Sequence, residues 1–98
     1  LCYGAAGSIA ACANVAPRLC ADIYDKYMAG DLKGSLEAQF TLAPLRLAFT
    51  IGTFPAVIKE SLEMLGIEAG PCMAPVGPMT TAEREKLRAV LVQMGLLQ

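Results

Sequence analysis

The sequence predicts a mainly α-helical domain of four helices preceded by one short amino-terminal strand segment. Three observations support this class. Apolar residues recur at helical spacing in four windows, a proline or a capping residue opens each window, and a glycine closes each one. With 98 residues the chain has room for one small domain.

The strand segment is the run of small apolar residues from Ser8 to Ala13, which follows Gly4 and Gly7 and ends at Asn14. An apolar run without period-two alternation is typical of a strand buried on both faces of a parallel sheet. The remaining sequence offers no second strand, so the backbone groups of this run would lack ladder partners. We therefore expect the segment to need neighbouring strands and covering helices to stay extended.

The first helix is predicted to begin at Pro17, because proline suits a first helical position, and to end at Gly30. Its apolar face is formed by Leu19, Ile23, Tyr27 and Met28.

The second helix is predicted to begin after Asp31, a good N-cap, and to run to about Ile51 before Gly52. Pro44 removes one backbone hydrogen bond, but the apolar pattern continues through it, so we expect one kinked helix. The apolar stripe of this helix consists of Leu32, Leu36, Phe40, Ala43 and Leu47.

The third helix is predicted from Pro55 to Leu65, with Gly66 as the C′ residue. Its apolar face is formed by Ile58, Leu62 and Leu65. On the opposite side, Lys59 and Glu63 have the i,i+4 spacing of a helical ion pair.

A proline-rich stretch from 67 to 79 is predicted to be an extended loop. The fourth helix then opens with a capping box, Thr80 to Glu83, and ends at Gly95. Its apolar residues are Leu87, Val90, Leu91 and Met94. The four helices are expected to pack as a small bundle around Ile23, Phe40, Leu47, Leu62 and Leu91.

The composition excludes several classes of function. The net charge is −1 and the eight basic residues are scattered, which disfavours nucleic-acid binding. The chain has no histidine and no C-x-x-C pair, so we expect no metal site, no cofactor and no histidine-based triad. Residues 1–21 are interrupted by glycine, asparagine and proline, which argues against a membrane span. The 55% hydrophobic content nevertheless exceeds what so short a chain can bury, so part of its surface is expected to cover something else.

The four cysteines are Cys2, Cys12, Cys20 and Cys72. Small secreted scaffolds are loop-rich and cysteine-dense, whereas this chain is not, so reduced buried thiols are favoured over disulfides. This cysteine usage and the absence of a recognisable leader favour a cytoplasmic location.

No side chain stands out as catalytic. The lysines lie among charged or polar helix positions, where a neutral Schiff-base amine is not favoured. Glu83 and Glu85 are two apart on a helix and do not face each other, and Ser8 has no base beside it. Tyr24 and Tyr27 could relay protons, although packing is favoured for both. The lysines are Lys26, Lys33, Lys59 and Lys86.

Asn14 is the one polar residue at the carboxyl end of the predicted strand, where parallel α/β folds place their sites. The alternative is that Asn14 turns the chain into the helix at Pro17, and this second interpretation is favoured.

The order of several stretches resembles one known family. These are G-A-A-G-S-I-A-A-C-A-N-V-A-P at 4–17, A-G-D-L at 29–32, L-A-P-L-R at 42–46, F-P-A-V-I-K at 54–59, L-G-I at 65–67 and G-P-C-M-A-P-V-G-P-M-T at 70–80. Together they are similar to the carboxyl-terminal third of the dihydrodipicolinate synthase and N-acetylneuraminate lyase family, the pyruvate-dependent class I aldolases. The resemblance covers essentially the whole chain.

The resemblance implies a parent protein with a (β/α)8 barrel, in which a lysine Schiff base with pyruvate makes or breaks a carbon–carbon bond with an aldehyde. Residues 1–30 would be the last strand and helix of the barrel, and residues 31–98 a helical appendage. The family's Schiff-base lysine, proton-relay tyrosine and carboxylate-binding Thr-Thr turn would all lie upstream of Leu1. The chain alone is then expected to be inactive, with no catalytic and no cofactor-binding residue.

Two positions at the end of the strand would lie near substrate in that parent, Ala11 and Asn14. Ala11 stands where the sialic-acid lyases carry a substrate-contacting serine, which favours the synthase side of the family or another 2-oxo-acid aldolase. The implied partners are the rest of the barrel or a second copy of the chain. A non-enzymatic helical module for oligomerisation or partner binding is the alternative function.

Overall fold

Four α-helices and one 3₁₀ turn make up the regular structure of the chain, as described by a computed structural model that covers all 98 residues. The 3₁₀ turn spans Ala11–Asn14 and is followed by α1 (Pro17–Met28), α2 (Leu32–Ala48), α3 (Ala56–Met64) and α4 (Thr81–Gln93). The prediction of four helices is therefore confirmed. No β-strand is present.

The predicted strand from Ser8 to Ala13 does not form. Its second half folds into the 3₁₀ turn, and residues 5–9 are irregular and make no backbone hydrogen bond. Ala10 keeps extended dihedrals, φ −129° and ψ 120°, and Ile9 is fully exposed. The physical reason is that the chain contains no other strand, so an extended segment here has no neighbour with which to form backbone hydrogen bonds.

The ends of the helices follow the sequence signals. Asp31 caps α2 by accepting a hydrogen bond from the Gly34 amide at 2.9 Å. Between α1 and α2 the chain reverses at Gly30, whose φ of 82° lies in the left-handed region that favours glycine. The two helices pack against each other, and Ser35 Oγ donates to the Ile23 carbonyl across their contact at 2.7 Å.

The buried face of α2 differs from the predicted one. The large apolar residues of the predicted stripe, Leu32, Leu36, Phe40 and Leu47, are exposed. The residues that face the core are Ser35, Ala38, Leu42, Leu45 and Ala48. Both faces of the helix are apolar. The inward face combines two leucines with small residues, and the small residues permit the close approach of neighbouring elements. The helix passes through Pro44 without a break, as predicted, but ends at Ala48 instead of Ile51.

The link from α3 to α4 is held by two side chains that the sequence predicts as an ion pair with each other. Lys59 Nζ instead donates to the carbonyls of Ala69 and Pro71, at 2.9 and 3.0 Å. Glu63 Oε1 accepts from the amides of Ala69 and Gly70, at 2.7 and 2.8 Å. The two charges therefore fasten the proline-rich loop onto α3.

The core lies where α2, α3, α4 and the 3₁₀ turn meet. Its fully buried side chains are those of Cys12, Leu45, Val57, Ser61, Leu87 and Leu91. The predicted core position Leu91 is confirmed, and Ile23 and Leu62 are partly buried against this core. Phe40 and Leu47 were wrongly assigned to it, because the exposed apolar face of α2 was taken for the inner one.

The capping box of α4 predicts a specific dependence of stability on pH. Glu83 accepts a hydrogen bond from the Thr80 amide at 2.7 Å, and this bond is the main reason that the pKa of Glu83 lies below its ordinary value of 4.5. A carboxylate with a lowered pKa in the folded state contributes stability above its unfolded pKa and loses it as the pH falls through the folded pKa. We expect Glu83→Gln to remove this contribution, so that its Tm falls less between pH 5 and pH 3 than that of the wild type.

Thermal melts at several pH values, followed by circular dichroism, measure this effect. Glu85→Gln is the control, because Glu85 is exposed and does not take part in the capping box. Equal acid sensitivity of the wild type and Glu83→Gln would contradict the assignment.

Candidate functional site

An apolar groove of about 780 Å³ lies between the amino-terminal segment, α1 and α2. Residues 6–13 form one wall, and Cys20, Ala21, Ile23 and Tyr24 of α1 contribute to the other side. The α2 residues that line the groove are Gln39, Leu42 and Arg46. Fourteen of its eighteen lining residues are hydrophobic, so the groove offers a surface for burying apolar groups and few groups for chemistry.

An aromatic and cationic cluster closes one end of the groove. The rings of Phe49 and Phe54 lie 5.7 Å apart, and the Arg46 guanidinium carbon lies 5.4 Å from the centre of the Phe49 ring. Arg46 is thus held over its own chain's aromatic ring, an arrangement that stabilises a cation on an apolar surface.

Two thiols reach the groove, those of Cys12 and Cys20. The sulfur atoms of Cys12 and Cys20 are 3.9 Å apart. Burial raises the pKa of Cys20 to about 11, with the neighbouring Cys12 adding to the shift. Since the thiolate is the nucleophile, a thiol with so high a pKa reacts poorly at neutral pH. All four cysteines are unpaired as predicted, but Cys2 is exposed and only Cys12 is fully buried.

No lysine lines the groove. Lys59 is engaged by the two loop carbonyls, and Lys33 lies 3.9 Å from Glu37 on the surface of α2. Lys26 and Lys86 are solvent-accessible positions of α1 and α4. The arrangement therefore places no lysine amine in the apolar groove.

The structure separates the two residues predicted to lie near substrate. Ala11 lines the groove. Asn14 is exposed outside it, and its Nδ2 donates to the Ala11 carbonyl at 3.1 Å, which closes the 3₁₀ turn. The favoured interpretation of Asn14, as a turn residue, is the one that this geometry supports.

The remaining candidate catalytic residues do not come together in one site. Tyr24 and Ser8 line the groove without a base beside them, whereas Tyr27 lies outside it. Glu83 caps α4, and Glu85 is exposed. The sequence did not predict the groove itself; its only signals were the run of small apolar residues and the excess of hydrophobic composition.

A second, smaller pocket of about 220 Å³ lies between α3 and the proline-rich loop. Its charged side chains already have partners, since Lys59 and Glu63 bind the loop and Glu60 lies 2.9 Å from Arg84. No three Cys, Asp or Glu side chains come together as metal ligands, and none of the helices has the length and apolar character needed to cross a membrane.

The chain matches one known family of proteins. The sequence profile of the Dihydrodipicolinate synthetase family matches residues 1–94, and the chain belongs to this family. The resemblance inferred from the motifs is therefore confirmed.

The relatives show how much of a family member the chain represents. The chain is 40% identical over 95 residues to the 4-hydroxy-tetrahydrodipicolinate synthase of Methanoculleus marisnigri, with 97% of the chain and 33% of that protein covered. The crystal structure of dihydrodipicolinate synthase from Thermotoga maritima matches with a TM-score of 0.89 and 33% identity, over 98% of this chain and 32% of that one. The chain thus spans about a third of the length of the relatives that it matches. A helical chain of this kind is consistent with a carboxyl-terminal part of a TIM-barrel protein.

More distant members share the fold. A prophage protein of the family from E. coli K12, solved in complex with pyruvate, matches with a TM-score of 0.87 at 24% identity. The N-acetylneuraminate lyase of Proteus mirabilis matches with a TM-score of 0.84 at 20% identity.

Proposed function

We propose that the chain is the carboxyl-terminal third of a pyruvate-dependent lyase of the dihydrodipicolinate synthase type. In this proposal residues 1–30 supply the last strand and helix of the barrel, and residues 31–98 form the helical appendage. The chain on its own carries structure and not catalysis.

One observation carries the proposal. Residues 5–9 are irregular and make no backbone hydrogen bond, and residues 6–9 line a groove formed mostly by apolar side chains. Backbone groups left without partners are those that a neighbouring strand would pair, and an exposed apolar groove is what a missing layer of the fold would cover. In the complete barrel the adjacent strands would pair with residues 5–10, which precede the 3₁₀ turn.

In this proposal the catalytic residues of the parent protein lie upstream of Leu1. The parent would bind pyruvate as a Schiff base on a lysine of an earlier strand and join it to, or cleave it from, an aldehyde. Within the chain, Ala11 lines the groove and is the residue that this proposal places near the substrate. Asn14 would act there by fixing the turn that follows the strand.

The proposed location is the cytoplasm. The four unpaired cysteines support this assignment, because thiols stay reduced there.

The sequence encoded upstream of Leu1 tests this proposal directly. We expect an open reading frame that contains a Y-N-x-P turn followed by a strand with a lysine. An in-frame stop codon immediately upstream of Leu1 would contradict the barrel assignment and favour the alternative of a helical interaction module.

A further inference from the structure

The thiols of Cys12 and Cys20 form a pair in the groove that the proposed function does not use. Cys12 belongs to the 3₁₀ turn and Cys20 to α1, and their sulfur atoms lie 3.9 Å apart. Cys12 is 2% exposed, and Cys20 is partly buried. Each sulfur has the other as its only hydrogen-bond partner, and a thiol is a weak donor and a weak acceptor. The pair is therefore a buried set of two sulfur donors whose capacity to bind a metal ion is free.

The backbone holds the two cysteines together before any ligand binds. The Ala16 amide donates to the Cys12 carbonyl at 2.8 Å, and the Cys20 amide donates to the Ala16 carbonyl at 3.2 Å. These two hydrogen bonds connect the 3₁₀ turn to the start of α1 through a single residue. Ligands that are already in place lose little conformational freedom when an ion binds. The prediction of no metal site considered only histidine and C-x-x-C ligands, whereas these two cysteines are eight residues apart.

Two thiols without further ligands select among metal ions. Structural zinc requires four ligands, but the chain has no histidine and no group of three Cys, Asp or Glu side chains. The side chains that line the groove around the pair are mostly apolar, and none of them is acidic. Soft thiolate ligands favour Cu(I), a d¹⁰ ion that two thiolates hold in two-coordinate geometry. The donor set therefore fits Cu(I) and excludes ions that need three or four protein ligands.

The separation of the two sulfur atoms suits an ion between them. With metal–sulfur bonds of about 2.3 Å, the length found for zinc, two sulfur atoms on opposite sides of one ion are at most about 4.6 Å apart. The observed 3.9 Å is close to this limit, and small rotations about the Cα–Cβ bonds supply the difference. A disulfide would require the same two atoms to approach to about 2.05 Å. The pair is thus closer to the geometry of a bis-thiolate metal site than to that of a disulfide.

The charge of the groove also favours this complex. Both sulfur atoms bind as thiolates, two protons pass to the solvent and no electron is transferred, so the Cu(I) complex carries one net negative charge. The only charged side chain that lines the groove is Arg46, a cation. We propose that Cys12 and Cys20 form a two-coordinate Cu(I) site in the groove. The site does not depend on the proposed function, because both ligands lie within the chain.

Competition for Cu(I) against the chromophoric chelator bathocuproine disulfonate tests this proposal, with Cu(I) added anaerobically as its acetonitrile complex. The Cys2→Ser/Cys72→Ser variant keeps only the proposed pair, and we call it the pair-only variant. We expect it to bind one equivalent of Cu(I) as tightly as the wild type. Adding Cys20→Ala to the pair-only variant should weaken binding at least about a hundredfold, beyond the range for losing an outer-shell partner.

The matched control is Cys12→Ala/Cys20→Ala, which keeps only Cys2 and Cys72. We expect it to bind Cu(I) at least about a hundredfold more weakly than the pair-only variant. Far-UV circular dichroism checks that each variant keeps the helical content of the wild type. Because Cys12 is fully buried and Cys20 is not, the single Cys20→Ala change keeps the test valid if removing Cys12 disturbs the core.

Two further measurements examine the bound ion. X-ray absorption at the copper edge should show two sulfur neighbours and no nitrogen or oxygen ligand. Cu(I) should also raise the Tm of the pair-only variant, because an ion that binds only the folded state stabilises it.

Three results would overturn the proposal. A pair-only variant that retains no copper against the chelator would show that the pair has no useful affinity for Cu(I). Equally tight binding by Cys12→Ala/Cys20→Ala would assign the copper to Cys2 and Cys72. Three or more sulfur neighbours in the absorption spectrum would show that the ion is held by more than this pair.

Discussion

Replacing Leu45 with alanine should lower the free energy of unfolding by about 2–5 kcal/mol, the range for removing a fully buried leucine side chain. Leu45 has no exposed surface and belongs to the main hydrophobic core. The loss combines the transfer free energy of the deleted methyl groups with the cost of the cavity that they leave.

Leu47→Ala is the matched control, two residues away on the same helix. Its side chain is 73% exposed, so we expect a change within about 0.5 kcal/mol. Urea unfolding followed by circular dichroism measures both, at a concentration where the chain is monomeric, since dimerisation adds apparent stability. A larger loss for Leu47→Ala than for Leu45→Ala would show that the helix is turned the other way.

Introducing a charge at Leu91 is expected to abolish the fold. Leu91 is fully buried, and an unpaired carboxylate there should cost roughly 4 kcal/mol or more. Small domains are stable by about 5–15 kcal/mol, and a chain of this size belongs near the lower end of that range. We therefore expect Leu91→Asp to lose most of its helical circular dichroism at 25 °C.

Val92→Asp is the matched control, because it introduces an aspartate at the next position of α4. Val92 is 40% exposed, and valine and aspartate have similar helix propensities, so its cost should stay within about 1 kcal/mol. Circular dichroism and resistance to proteolysis compare the two variants. A folded Leu91→Asp protein would contradict the packing of α4 in the core.

The helix ends were predictable because their signals are local. Asp31 caps α2, and Thr80 and Glu83 form the predicted capping box, because the hydrogen bonds involved span only three residues. Gly30 and Gly66 end their helices with φ of 82° and 81°, a conformation that glycine adopts without strain.

The orientation of α2 was not predictable in the same way. Its pattern contains one stripe with four large apolar residues and a second face that combines Leu42 and Leu45 with small residues, and periodicity favours the stripe with more large residues. Which face lies inward depends on how closely α1 and the core approach, which is a tertiary effect. The exposure of Phe40 and Leu47 therefore appears only in the structure.

The prediction of a strand was wrong for a related reason. Ser8 to Ala13 has the composition of a doubly buried strand, but a strand exists only with a hydrogen-bonded neighbour. The candidate site shares this dependence on what lies outside the chain. The sequence could identify Asn14 as a turn residue, whereas the groove beside Ala11 arises from segments that are distant in sequence.

Trapping with pyruvate and borohydride is the most direct test of the claim that this chain contributes structure to the lyase and lacks its catalytic centre. The purified chain is incubated with pyruvate, reduced with borohydride and analysed by intact mass. We predict an unmodified mass, because Lys59 is held by two carbonyls and the other three lysines lie on solvent-accessible helix surfaces. A stoichiometric reduced pyruvyl adduct on Lys26, Lys33, Lys59 or Lys86 would contradict this account and place a Schiff-base centre within the chain.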